Sequence, residues 1–156
     1  MAIETILLAV GPMDAPRANE LAETVIEVAA PLEATVVIGH AFTAGEYEDE
    51  LREELGFDAP LEEADPDEVA GRRPPAAELR AAFDDAGVAY EVRGVVVDEH
   101  SEGIVDLATA VDADRIFVGG RSRSPADTAV LGSTSQEVML SAPCPVTTIQ
   151  QDADER

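Results

Sequence analysis

The chain contains no lysine, so all ten of its basic residues are arginines. That absence excludes Schiff-base chemistry on a lysine, a P-loop of the G-x-x-x-x-G-K-[ST] type and a kinase-like phosphate lysine. Tryptophan is also missing and aromatics make up only 4%, so the core has to be built from Val, Ile, Leu and Ala. A single cysteine, Cys144, cannot form an intrachain disulfide, which fits a reducing compartment. No apolar run approaches the ~20 residues of a membrane span. The start, Met1-Ala2-Ile3-Glu4, has no positive n-region, so the expectation is a cytoplasmic protein without a signal peptide. Positive charge is scarce: 33 acids stand against 10 bases, a net charge of −23. Nucleic acid and anionic membrane surfaces are therefore poor partners, since both require clustered positive charge.

What is present is a strongly acidic surface around ordered apolar periodicities. At 46% hydrophobic residues the chain is unlike a disordered acidic polymer. Arginine without lysine and a large acid excess suit molar salt, where the screening length shrinks to about 3 Å. In dilute buffer the self-repulsion should destabilise the compact state. The 156 residues suit one domain over 1–150, with a frayed tail at 151–156.

Five apolar runs read as buried strands: Ile3 to Val10, Thr35 to Ile38, Val88 to Val97, Asp114 to Val118 and Val146 to Ile149. Helical patterns separate them. Asp14 is placed to cap a helix with Pro16 in its first turn and a stripe of Leu21, Val25 and Val28. Leu79 and Phe83 mark another helix, Ser101 is placed to cap a third, and a last one runs from Gly132 until Pro143 ends it. Strand and helix alternating at this rhythm imply a parallel sheet covered on both faces. The irregular part is 46–75, read as an acidic extended connection within the domain. Its first 23 residues hold twelve acids and one base, Arg52, and Tyr47, Leu51 and Leu55 suggest a short surface helix.

The chemistry is concentrated after the fourth strand, from Gly119-Gly120-Arg121-Ser122-Arg123 to Gly132-Ser133-Thr134-Ser135. In an open parallel sheet, ligands bind beyond the carboxyl ends of the strands. Gly119 and Gly120 permit close approach of backbone amides. The helix opening at Gly132-Ser133-Thr134 offers unpaired amides and a dipole that favour an anion. No acid occurs between Asp114 and Asp127, so on this chain the stretch is the one that welcomes a phosphate. A glycine-rich turn followed by an N-capping serine, with no ligand, explains the same residues equally well.

The spacing Gly119-x2-Ser122-x9-Gly132-Ser133, the opening ILLAV strand, Gly39-His40-Ala41 after the second strand and the closing Cys144-Pro145-Val146 together resemble the universal stress protein family. The resemblance covers nearly the whole chain. It implies a Rossmann-like α/β fold, with five parallel strands ordered 3-2-1-4-5 and helices on both faces. It also implies an adenine nucleotide, ATP with Mg²⁺, held by a G-x2-G-x9-G-[ST] signature, and a homodimer paired through the last strand. Carried over residue by residue, the signature falls on Gly119, Ser122 (in place of the second glycine), Gly132 and Ser133, with Arg121 and Thr134 beside them. Val10 and Gly11 end the first strand, where the family carries an aspartate three residues before this chain's Asp14. Ala41 takes the adenine wall.

Other candidates are weaker. His40 reads as a structural histidine at a strand end. His100, among Asp98, Glu99 and Glu102, should favour its protonated form. Cys144, between two prolines, reads as an inert packed thiol, and no metal site is expected. Three functions follow. The first is a nucleotide-binding stress-response module, homodimeric and without rapid turnover. The second is a dimeric scaffold of the same family whose nucleotide site has decayed, motivated by Gly11 and Ser122. The third is a slow ATPase or nucleotidyl transferase using Asp127, Asp14, Arg121 and Arg123, which ranks last.

Overall fold

The computed structural model describes residues 3–55, 65–73, 75–119 and 133–149. Strands β1 (Thr5–Ala9), β2 (Thr35–Thr43), β3 (Tyr90–Val97), β4 (Arg115–Gly119) and β5 (Val146–Ile149) form one sheet in the order β3-β2-β1-β4-β5. Every neighbouring pair in it is parallel. The near-continuous apolar runs have a direct cause, because alternate residues of each strand enter different cores. Ile6 and Leu8 of β1, with Val36 and Ile38 of β2, pack beneath α1 (Ala18–Leu32) and α4 (Ala76–Ala86). Leu7, Ala9 and Val37 pack on the other face against Ile104 and Leu107 of α5 (His100–Ala110) and Val138 of α6 (Ser133–Ser141).

Local signals place the boundaries differently from the sequence reading at several points. Asp14 does not cap α1. Residues Pro12–Arg17 form a 3-10 turn whose N-cap is Gly11, and α1 starts at Ala18. The N-cap of α5 is Glu99, while Ser101 lies inside the helix with its hydroxyl 3.3 Å from Glu137. Strand β2 continues to Thr43 instead of ending at Ile38, because β3 stays in register with it as far as Val97.

Within 46–75 the helix expected at Tyr47, Leu51 and Leu55 is present as α2 (Ala44–Leu55), and the described residues also carry a helix that the sequence reading missed, α3 (Pro66–Arg72). Tyr47 and Leu51 of α2 are buried, and they join Phe42, Val69 and Ala70 in a third core. Helix α3 has ordinary start signals. Asp65 is the N-cap and accepts from the Asp67 amide at 3.0 Å, Pro66 fills the first turn, and acids follow near the positive end of the dipole. The helix lies on edge strand β3, where Asp67 Oδ1 accepts the Gly94 N–H at 2.7 Å and satisfies an edge donor. A Cβ at Gly94 would stand 2.7 Å from the Pro66 carbonyl carbon, so glycine is what lets α3 dock.

Gly94→Ala should therefore lower the denaturation free energy in molar KCl by about 1–3 kcal/mol, since backbone must shift. Gly45→Ala, with nothing within 4 Å of its added Cβ, should be neutral or mildly stabilising. Equal unfolding curves for the two variants would refute the docking role of Gly94.

Candidate functional site

The connection after β1 runs through α1 on one face, and the connection after β4 leads to α6 on the other. The crevice between two neighbouring strands whose connections diverge is where a parallel sheet accepts a ligand. At this point Val10 donates its N–H to Gly39 O at 2.9 Å, and the chain turns at Gly11. The Gly11 N–H donates to Asp14 Oδ2 at 2.9 Å. Asp14 Oδ1 in turn accepts from Arg17 Nε at 3.3 Å and Nη2 at 3.2 Å. Arg17 Nη1 then donates to Ile149 O, at the end of β5, at 3.2 Å. The network thus runs across the carboxyl ends of β1, β4 and β5. The Arg17 side chain is only 8% exposed.

This arrangement accounts for Gly119. A Cβ there would fall inside the Arg17 guanidinium and 2.9 Å from Asp14 Oδ1. The absent side chain expected to leave room for a ligand leaves room for Arg17 instead. Val10, Gly11 and Gly119 are brought together at this end of the sheet. Val10 joins the core under α1, whereas Ala41 joins the opposite core under α5, so the two fall on different faces. Ser133 opens α6 and Thr134 is half-buried in its first turn. Arg121, Ser122 and Gly132, like Gly120, Arg123, Asp127 and the tail at 151–156, lie outside the described residues. Arg17 is the residue the sequence reading missed. Its signal is faint: a base three residues after Asp14 in a chain with few bases.

A second polar group lies beyond the end of β1, around His40. This side chain is 5% exposed and its ring centroid is 4.2 Å from that of Phe42. Burial and then the nearby Arg73 charge push its pKa down to about 4, against the opposing pull of Glu46. It is neutral at pH 7, in keeping with a structural histidine. Glu46 forms a capping box with Thr43, accepting the Thr43 N–H at 3.0 Å while its own N–H donates to Thr43 Oγ1 at 3.3 Å. Burial raises the Glu46 carboxyl, but hydrogen bonds from His100 and Thr43 outweigh it and hold the group below the usual carboxylate range. His100 Nε2 lies 2.8 Å from Glu46 Oε1, so its acidic partner is on α2 and not among its sequence neighbours. Arg73 pairs with the buried Glu50. Burial, then Asp114, pushes the half-buried Cys144 thiol up, away from the nucleophilic thiolate form. Among the described residues no group of three His, Cys, Asp or Glu side chains could hold a metal ion. No described helix is long and apolar enough to cross a membrane.

Comparison with known proteins adds four findings. The model of the universal stress protein family matches residues 2–150. A universal stress protein of Mycolicibacterium smegmatis is 30% identical over 73 residues, 47% of this chain and 56% of that protein's length. Among solved structures, a universal stress protein from Archaeoglobus fulgidus has a TM-score of 0.69 at 26% identity, covering 94% of this chain and 98% of its own. A universal stress protein family protein from Arabidopsis thaliana, with AMP bound, has a TM-score of 0.58 at 17% identity, covering 97% and 94% respectively.

The buried His40 carries a pH dependence whose sign follows from linkage. The unfolded chain protonates this group near 6.5 and the folded chain only near 4, so between those values the unfolded state binds more protons. Stability should fall as pH drops through that window, with a slope from this one group of at most about 1.4 kcal/mol per pH unit. His40→Gln should flatten the pH profile of the unfolding free energy there. Superimposable profiles would show that His40 is not the group responsible.

Proposed function

This chain belongs to the universal stress protein family, and on that premise we propose that it is an adenine-nucleotide binding module. It takes ATP with Mg²⁺ and works as a homodimeric stress-response regulator in the cytoplasm, without rapid turnover. One observation carries the reading: at the β1–β4 switch point, β4 ends in Gly119 and α6 begins at Ser133. The AMP bound by the Arabidopsis protein supports the ligand class. In this reading Gly119, Ser122, Gly132 and Ser133 are the signature positions around the phosphates and ribose. Thr134 and the first amides of α6 add donors at the positive end of the helix. Arg121 balances phosphate charge, Val10 and Gly11 lie on the ribose side, and Ala41 stands at the adenine.

The second partner is another copy of the chain. Strand β5 is the sheet's edge beside β4, and on neighbouring α6 Met139 and Leu140 are 48% and 86% exposed. Pairing β5 across a two-fold axis would cover an open edge and this apolar surface. At a net charge of −23, neither nucleic acid nor an anionic membrane is a partner in this reading.

A specific observation also favours a second reading, a family scaffold that binds no nucleotide. Gly11 supplies no carboxylate after β1, and the Arg17 guanidinium lies across Gly119. Calorimetric titration of Mg-ATP into the full chain in molar KCl, after any co-purified nucleotide is stripped and identified, separates the two. Saturable binding of one nucleotide per chain, abolished in Gly132→Val without loss of fold, is the expected result. No heat and no co-purified nucleotide on a folded protein would establish the scaffold instead.

A further inference from the structure

We propose that Arg17 makes the site discriminate nucleotides by their phosphates, by exchanging its partner Asp14 for a phosphate oxygen when the ligand enters. The inference rests on the adenine-nucleotide reading and deepens it. It comes from where the guanidinium is held. From the turn after β1 it reaches across Gly119, the last residue of β4, to the carbonyl of Ile149, the last residue of β5. No Cβ intervenes at Gly119, so the cation lies directly on the strand end that leads into the signature segment.

The chemistry of the exchange is balanced at both ends. Arg17 meets Asp14 through Nε and Nη2, and the planar fork that suits a carboxylate also suits phosphate oxygens. A guanidinium largely removed from water interacts more strongly with either anion than it would at the surface. When Arg17 turns to a phosphate, Asp14 keeps the Gly11 N–H at 2.9 Å. Arg17 keeps the Ile149 carbonyl through Nη1, so the guanidinium stays anchored at the end of β5 while its Nε and Nη2 edge changes partner. With no lysine anywhere in the chain, arginine is the basic side chain that stays charged at every working pH and so can face a phosphate beside the α6 amides. Asp14 is then the internal competitor: in the free protein it occupies the fork that the ligand needs.

The test is affinity for Mg-ATP and for adenosine, measured in molar KCl on the full-length wild type, Arg17→Gln, Arg17→Lys and Asp14→Asn, with thermal melting of each. Arg17→Gln should weaken Mg-ATP about tenfold or more, while adenosine stays within about twofold. Arg17→Lys, a point charge without the fork, should fall between Gln and wild type. Asp14→Asn should tighten Mg-ATP several-fold, because the competitor has lost its charge, and leave adenosine unmoved. Arg17→Gln changing both ligands equally, as a purely structural role would, or changing neither, overturns the proposal. If Arg17→Gln does not fold, Asp14→Asn decides: a wild-type ratio of Mg-ATP to adenosine affinity overturns it. A wild type that binds neither ligand overturns the nucleotide reading and this inference together. A wild type that binds Mg-ATP with a ratio no variant shifts overturns this inference alone.

Discussion

Strand β1 lies between β2 and β4 in parallel register with both, and Ile6, Leu7 and Leu8 have no surface in contact with water. The remainder of the structure follows from that burial. Parallel strands cannot be joined by hairpins, so each connection must cross a face of the sheet. Helix α1 crosses one face to reach β2, and α6 lies on the other before β5. The connections leaving β1 and β4 therefore part company, and the strand ends between them are open to polar groups. Gly11, Asp14, Arg17 and Gly119 meet there because a doubly covered parallel sheet provides no other exit for the chain.

Electrostatics then shapes what occupies the opening. In a chain of net charge −23, the buried Arg17 and the half-buried Arg73 are both paired. Arg17 meets Asp14 and Arg73 meets Glu50, each a guanidinium against a carboxylate, where the flat fork gives geometric definition that an ammonium lacks. Exposed pairs such as Arg52 with Asp49 matter less, and salt screens them. The acidic segment after β2 is more than a solvated surface. Glu46 caps α2 and receives His100, Glu50 neutralises Arg73, Asp65 caps α3, and Asp67 satisfies the edge of β3.

The second helix of this segment, α3, was missed for a physical reason. Twelve acids in 23 residues dominate any average over the window. The signals that mattered were single positions: Thr43 with Glu46 around α2, and Asp65-Pro66-Asp67 before α3. Each was legible as a cap, yet whether a capped helix of seven residues persists depends on the surface it docks on. That surface is Gly94 of β3, remote in the chain. His100 shows the same pattern, since its acidic partner is Glu46 on another helix and not the neighbours that its sequence position suggested.

By itself, the sequence determined the class of fold, all five strands and the family, because apolar periodicity and a spaced glycine–hydroxyl motif are local and survive without coordinates. It also placed Gly119 at a strand end and Ser133 at a helix start, for the same reason. Only the tertiary structure decided what lies against Gly119. Arg17, Gly119 and Ile149 belong to distant parts of the chain, and nothing in their local sequence relates them. They meet because β1, β4 and β5 are neighbours in one parallel sheet, and because a guanidinium drawn out of water needs a carboxylate and a carbonyl within its reach.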